Sequence, residues 1–106
     1  MAQNFRRFAQ KITVANQAMV MHTSDSFDTV VGIHLANVAN NQINVDVYIT
    51  NSSTNYYIQK GTPIPAGSSL SVDGKFVLQS GDALTVVTDT ANSCDVWVSV
   101  VDDISS

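Results

Sequence analysis

Residues 69–88 read Ser69-Leu70-Ser71-Val72-Asp73-Gly74-Lys75-Phe76-Val77-Leu78-Gln79-Ser80-Gly81-Asp82-Ala83-Leu84-Thr85-Val86-Val87-Thr88. Three short apolar runs are separated here by Asp73-Gly74 and by Ser80-Gly81-Asp82. Asp-Gly between β-rich runs is the strongest short hairpin signal, because a type I′ turn needs positive φ at both central residues. A fourth run, residues 95–102, follows Asn92-Ser93. The C-terminal half therefore predicts an antiparallel meander, and the rest of the chain must cover its apolar face.

Upstream of the meander, Pro63 and Pro65 cannot donate to a strand ladder, so residues 60–67 are expected to cross between sheets or to run along an edge. Residues 43–50 form the clearest strand: Ile43, Val45, Val47 and Ile49 point in, while Asn44, Asp46, Tyr48 and Thr50 point out. Residues 51–54 turn the chain, which returns with Tyr56, Tyr57 and Ile58. Residues 28–37 also alternate, with Val31, Ile33 and Leu35 on one face and Val30, Gly32, His34 and Ala36 on the other. The second face is small or polar and suits solvent or a contact. Residues 38–42 form an Asn-rich turn. Residues 12–14 and 18–22 read as short strands broken near Asn16, and residues 23–26 as a polar turn. No window carries a helical period over ten residues.

The fold class that follows is all-β: a two-sheet antiparallel sandwich, jelly-roll-like, of 8–9 short strands with a short N-terminal arm. The division is an arm at residues 1–11 and a β-sandwich domain at residues 12–106. With 106 residues the chain makes one domain. Charged residues are 13% of the chain, about half the usual share, so its sheet edges are expected to be covered by partners.

Charge is unevenly spread. Arg6, Arg7 and Lys11 give the arm +3 with no acid, while Lys60 and Lys75 against nine Asp give the remainder −7. An acidic body disfavours direct nucleic-acid binding. All the acids are Asp, which suits turns better than helices. Cys94 is the only cysteine, so no intrachain disulfide and no cysteine-based metal site are expected. Residues 1–10 lack the apolar core of a leader and no run reaches membrane-spanning length, which predicts synthesis in the cytosol and no membrane partner.

A resemblance covers nearly the whole chain. Met1-Ala2-Gln3-Asn4-Phe5-Arg6-Arg7, then Val31-Gly32-Ile33-His34-Leu35-Ala36-Asn37, then residues 56–70 from Tyr56-Tyr57-Ile58-Gln59-Lys60 through Pro63-Ile64-Pro65-Ala66-Gly67-Ser68, then Gly74-Lys75-Phe76-Val77-Leu78, Gly81-Asp82 and Ala91-Asn92-Ser93-Cys94-Asp95-Val96 occur in this order. This ordered set resembles small β-sandwich virion structural proteins of tailed bacteriophages, cyanophages in particular. The segment with Met19, Met21 and His22 departs from the pattern, where relatives tend to carry a Thr/Pro-rich lead-in. The resemblance implies a non-enzymatic capsid decoration, or cement, protein that stabilises a shell by subunit contacts. It implies a homo-oligomer, a trimer, partnered with the major capsid protein or other virion proteins. The protein would be made in the bacterial host cytoplasm and located in the virion. A neck or tail component of the same fold, or a surface glycan-binding module, are the alternatives.

No residue pattern points to catalysis, a cofactor or a metal. His22 and His34 lack a third ligand at a metal-site spacing and read as surface or satisfied histidines. No Gly-x-Ser-x-Gly elbow is present, and Asp102-Asp103 reads as a solvated strand end. Asp73 and Asp82 are explained by turns, and Cys94 by a small core position. The residues expected to make contacts are Phe5, Arg6, Arg7, Phe8 and Lys11 of the arm, with Tyr48 on an outer face. The arm could fold back on its own body or reach a neighbour, and burial of its two phenylalanines in a partner favours the second, with Phe5, Arg6, Arg7 and Phe8 as an inter-subunit anchor. Tyr48, Tyr56, Tyr57 and Trp97 suggest a sugar-stacking platform, but adjacent Tyr56 and Tyr57 face opposite ways, so only one joins Tyr48, and cross-strand aromatic packing is the simpler account.

Overall fold

The computed structural model describes residues 3–23, 27–72 and 75–103. Among these are nine strands: β1 (Gln3–Ile12), β2 (Met19–Thr23), β3 (Phe27–Asn37), β4 (Ile43–Asn51), β5 (Thr54–Ile64), β6 (Ser69–Val72), β7 (Phe76–Leu78), β8 (Ala83–Thr88) and β9 (Cys94–Asp103). They form two antiparallel sheets. The first has the order β1-β9-β3-β6, with β7 also paired to β3, and the second has the order β2-β8-β4-β5. The chain is thus an all-β two-sheet sandwich.

The core lies between the sheets and is made by alternation. In β4 the side chains of Ile43, Val45 and Val47 are buried, and Leu84 and Val86 of β8 join them. From the first sheet, Val96, Val98 and Val100 of β9 and Val30, Ile33 and Leu35 of β3 close the layer. Each fully buried Val, Leu or Ile contributes about 1.5–3 kcal/mol relative to an exposed one. Tyr56, near the start of β5, lies outside this core and remains exposed.

Two expectations are corrected. The C-terminal half is not a meander. Strands β6 and β7 both run antiparallel to β3, at residues 33–36 and 28–30, so they follow one another along one edge of β3. Asp73 and Gly74 lie outside the described residues, but the strands flanking them do not pair as a hairpin. Strand β8 then enters the second sheet between β2 and β4, and β9 returns to the first between β1 and β3. Crossing between sheets lets Leu78, Leu84 and Val98 all reach one core, which a single meander sheet does not allow. The expected turn at residues 23–26 falls largely on 24–26, also outside the described residues.

The second correction is on β3. Val30 faces Val100 and Gly32 faces Ser99, so Val31 is an extra residue in the ladder. This bulge places both Val30 and Ile33 in the core and leaves Val31 only half-buried. Strict alternation had paired Val31 with Ile33.

Turns use local chemistry. The β4–β5 hairpin turns through Ser52 and Ser53, both with positive φ, 51° and 68°. That is the type I′ requirement met by serines, at some strain. Between β7 and β8, Gly81 has φ 92°, and the Asp82 carboxylate accepts hydrogen bonds from the Gln79 amide at 2.9 Å and from Asn51 Nδ2 at 2.6 Å. Asn37, buried at the end of β3, donates from Nδ2 to the Asn41 and Ile64 carbonyls and accepts from the Ala39 amide. Its three bonds hold the 38–42 turn against the end of β5, which explains an Asn directly after Ala36.

Candidate interaction surface

The basic N-terminal segment is a strand of the sandwich. Residues 3–12 pair with β9 in unbroken register, from Gln3 opposite Asp103 to Ile12 opposite Cys94. The segment expected to reach a neighbour as an anchor is instead laid on its own body, because its alternation lets Phe8 and Ile12 join the core. The boundary between residues 11 and 12 therefore falls inside β1. Alternation divides its side chains. Phe8 packs partly buried on the inner side, with the Arg6 guanidinium 5.2 Å from its ring centroid. Arg7 and Lys11 point to the outer face. The Arg7 guanidinium lies 5.2 Å from the Trp97 ring, and Lys11 Nζ meets Asp95 Oδ1 at 2.5 Å. Phe5 stands opposite Val101, and its side chain lies outside the described residues.

On this outer face, residues from four strands line up in rows. Ala9, Trp97, His34 and Ser71 form one row across β1, β9, β3 and β6. Lys11, Asp95, Ala36 and Ser69 form the next. Trp97 is 48% exposed. His34 Nδ1 and Ser71 Oγ are 3.0 Å apart, so this histidine is an exposed, satisfied one. The two alanines leave a shallow groove of about 480 Å³ between Trp97 and the Lys11–Asp95 pair.

β1 is also an edge. Its far side carries no strand partner among the described residues, and no bulge interrupts its pairing to β9. One edge of the second sheet, β5, differs. Val45 faces Thr62 and Val47 faces Gln59, so Lys60 and Gly61 both stand opposite Asp46. Gly61 has φ 60° and donates its amide to Asp46 Oδ1 at 2.6 Å, while Lys60 Nζ lies 3.6 Å from Asp46 Oδ2. A second irregularity follows at Ile58, and Pro63 sits on this strand opposite Asn44. The proline thus runs along an edge, as one of its two expected placements required.

Tyr48 is on the outer face of the second sheet, in a row with Val20, Thr85 and Tyr57. It is covered by Tyr57, with ring centroids 5.1 Å apart at 49°, and only 8% exposed. Burial, then the neighbouring Tyr57 and Asp46, raise its phenol pKa. Lys60 Nζ caps the pair 4.6 Å from the Tyr57 ring. Tyr48 therefore supports Tyr57 rather than presenting a surface, and cross-strand packing accounts for it.

Cys94 is fully buried opposite Ile12. Burial first, then Asp95, push its thiol up to about 11, so it stays protonated and inert at neutral pH. No group of three potential metal ligands occurs among the described residues. His22 and the Asp102-Asp103 pair have side chains outside the described set.

The sequence named the arm residues and Tyr48. It did not assemble Ala9, Lys11, His34, Ala36, Asp95 and Trp97, because they come from β1, β3 and β9 and only the β1–β9 and β3–β9 registers bring them together. The usable signal was Trp97 at an outward position of an alternating strand.

Comparison with family models finds no match, and no curated protein sequence matches. The fold is shared with solved structures. A chain of the acid-stable capsid of Helicobacter pylori bacteriophage KHP30 aligns at TM-score 0.67 with 14% identity, over 99% of this chain and 90% of that one. A chain of the Bacillus endospore appendages, a family of disulfide-linked pili, aligns at TM-score 0.58 with 13% identity, over 98% and 88%. Both likenesses are of fold. The buried Cys94 gives this chain no exposed thiol for an intermolecular link.

Proposed function

We propose that this protein is a non-enzymatic bacteriophage virion protein that decorates the capsid and stabilises the shell by subunit contacts. The observation that carries the reading is the fold likeness over nearly the full length of both this chain and a chain of a phage capsid. It is supported by the ordered motifs that resemble cyanophage structural proteins and by a surface poor in charge. The protein assembles as a homo-oligomer, a trimer, against the major capsid protein or another virion protein, and its place is the virion.

The attachment surface in this reading is β1. Its open edge offers backbone donors and acceptors, and Arg6, Arg7 and Lys11 steer it to an acidic partner strand. Phe8 supports that edge from its own core, Phe5 is assigned to the same contact by the motif resemblance alone, and Tyr48 lies on the opposite sheet as a contact through Tyr57. A neck or tail component of the same fold would use the same edge.

Copy number per virion, measured by quantitative mass spectrometry of purified particles, tests the reading. Hundreds of copies support head decoration, whereas a ring of about 12 or fewer supports neck or tail. Absence from particles overturns a virion role. Light scattering on the isolated protein tests the trimer, and a monomer both in solution and on particles removes it.

A further inference from the structure

We propose that the groove beside Trp97 is a carbohydrate-binding site that takes one neutral pyranose residue of a glycan. The proposal does not depend on a virion role; it rests on how the groove is built.

Trp97 is the only tryptophan in the chain and stands half-exposed in the middle of a sheet face. Its cross-strand neighbours are Ala9 on one side and His34 on the other. One row further on lies Ala36, beside Asp95. Two methyl groups therefore make the floor, and the indole rises above them as a wall. The Arg7 guanidinium lies 5.2 Å from the ring centroid without lining the groove, so the indole lines the groove with no cation in it from β1 other than Lys11. The opposite rim is the Lys11–Asp95 pair, an ammonium and a carboxylate held side by side and each about half-exposed. His34, tied to Ser71, and the chain at Gln10 and Val96 complete the lining.

This arrangement matches the two-sided chemistry of a sugar ring. The apolar C–H face of a pyranose stacks on an indole, and its equatorial hydroxyls point outward in the ring plane. An adjacent cation and carboxylate offer a donor and an acceptor to two neighbouring hydroxyls, a pairing that neither a purely apolar nor an anionic ligand uses. An anion meets Asp95, and an apolar side chain desolvates the ion pair without return. The groove volume of about 480 Å³ is ample for a single ring with its neighbours running out to solvent. A ligand of about 12 heavy atoms held this way reaches a Kd on the order of 1 mM.

A single tryptophan makes the test direct, because all indole fluorescence comes from the site. Hexaoses of α-1,4-glucose, β-1,4-glucose, β-1,4-N-acetylglucosamine and α-1,6-mannose serve as probes. At least one is expected to give a saturable change in Trp97 emission, and NMR shifts confined to Trp97 and the residues that line the groove with it. Ala36→Leu fills the floor and leaves the indole in place. It is expected to weaken binding at least tenfold with an unchanged melting temperature. Asp95→Asn is expected to weaken it several-fold, and Tyr57→Ala on the other sheet to leave it unchanged. The proposal is overturned if no probe gives a saturable response up to about 50 mM, a concentration well above the Kd scale reached here. It is also overturned if Ala36→Leu, folded as judged by its melting curve, binds as well as the parent.

Discussion

Strands β1 and β5 each end a sheet, but only β5 is built as an ending. On β5, Gly61 at positive φ, the extra residue Ile58 and Pro63 distort or remove the donors that another strand needs. Asp46 fixes that distortion by taking the Gly61 amide and the Lys60 ammonium. β1 instead keeps ten residues in regular register and has only charge, from Arg6, Arg7 and Lys11, to discourage its own kind. The difference teaches that edge protection can be geometric and general, or electrostatic and selective. The second kind repels cations and admits an acidic strand.

The largest effect tests the frame on which both edges hang. Val47 is fully buried on β4, next to β5, and Val47→Asp places an unpaired carboxylate in the core. It should cost about 4 kcal/mol or more and unfold the domain, while Asp46→Asn, which retains an acceptor for Gly61, should stay within about 0.5 kcal/mol. If circular dichroism shows the two variants melting alike, the faces of β4 are interchanged and the account of β5 fails with them. Deleting residues 1–10 comes next. It uncovers β9 and removes Phe8, and should lower stability by about 2–4 kcal/mol in urea titrations. An unchanged midpoint would mean that β1 is a loose arm rather than an edge strand.

Cys94 reports on the β1 side by pH. Burial raises its folded pKa from the ordinary thiol value of 9.0 to about 11, so the folded state favours the thiol. This stability is fully present below about pH 9 and is lost as pH rises toward about 11, on the order of 2 kcal/mol in all. Cys94→Ala should flatten that part of the alkaline profile, and an identical profile would place the thiol in water. A smaller effect belongs to β5. Gly61→Val puts a β-branched residue at φ 60° and should cost about 1–2 kcal/mol. A neutral outcome would show that the bulge is not needed to end the sheet. Smallest is Lys11→Ala, at most about 1 kcal/mol for a half-exposed pair, and less in high salt. A larger loss would make the pair with Asp95 part of what holds β1 down.

Much of this architecture was legible because its signals are local. Alternation in β4 gave its inward and outward residues correctly. Pro63 indicated an edge or a crossing, of which the edge is found, and residues 51–54 indicated a turn. What failed was pairing. The best hairpin signal, Asp73-Gly74, joins two strands that both lie on β3, whereas the hairpin turn with positive φ at both central residues is made by Ser52-Ser53, which carry no glycine. Turn propensity is a statement about a few residues. The choice of neighbour is decided by which apolar faces must meet, and that is settled across the whole chain. The Val31 bulge was hidden for the same reason, since an extra residue leaves no mark in an otherwise regular run. The groove at Trp97 needs three strands in register, so composition and spacing pass it by.

The partnership of β1 with β9 has a consequence in time. Phe8 faces Val98, so the first sheet closes only when a loop of about 90 residues has been drawn together. During synthesis β1 leaves the ribosome long before its partner exists, and β3 likewise waits for β9. Such non-local pairing folds slowly, on the millisecond-to-second scale of all-β domains. The second sheet can form its β4–β5 hairpin early, so nascent chains should spend their first moments half-built. The cationic β1 would be the last piece laid down, kept from premature pairing with its own copies by mutual repulsion.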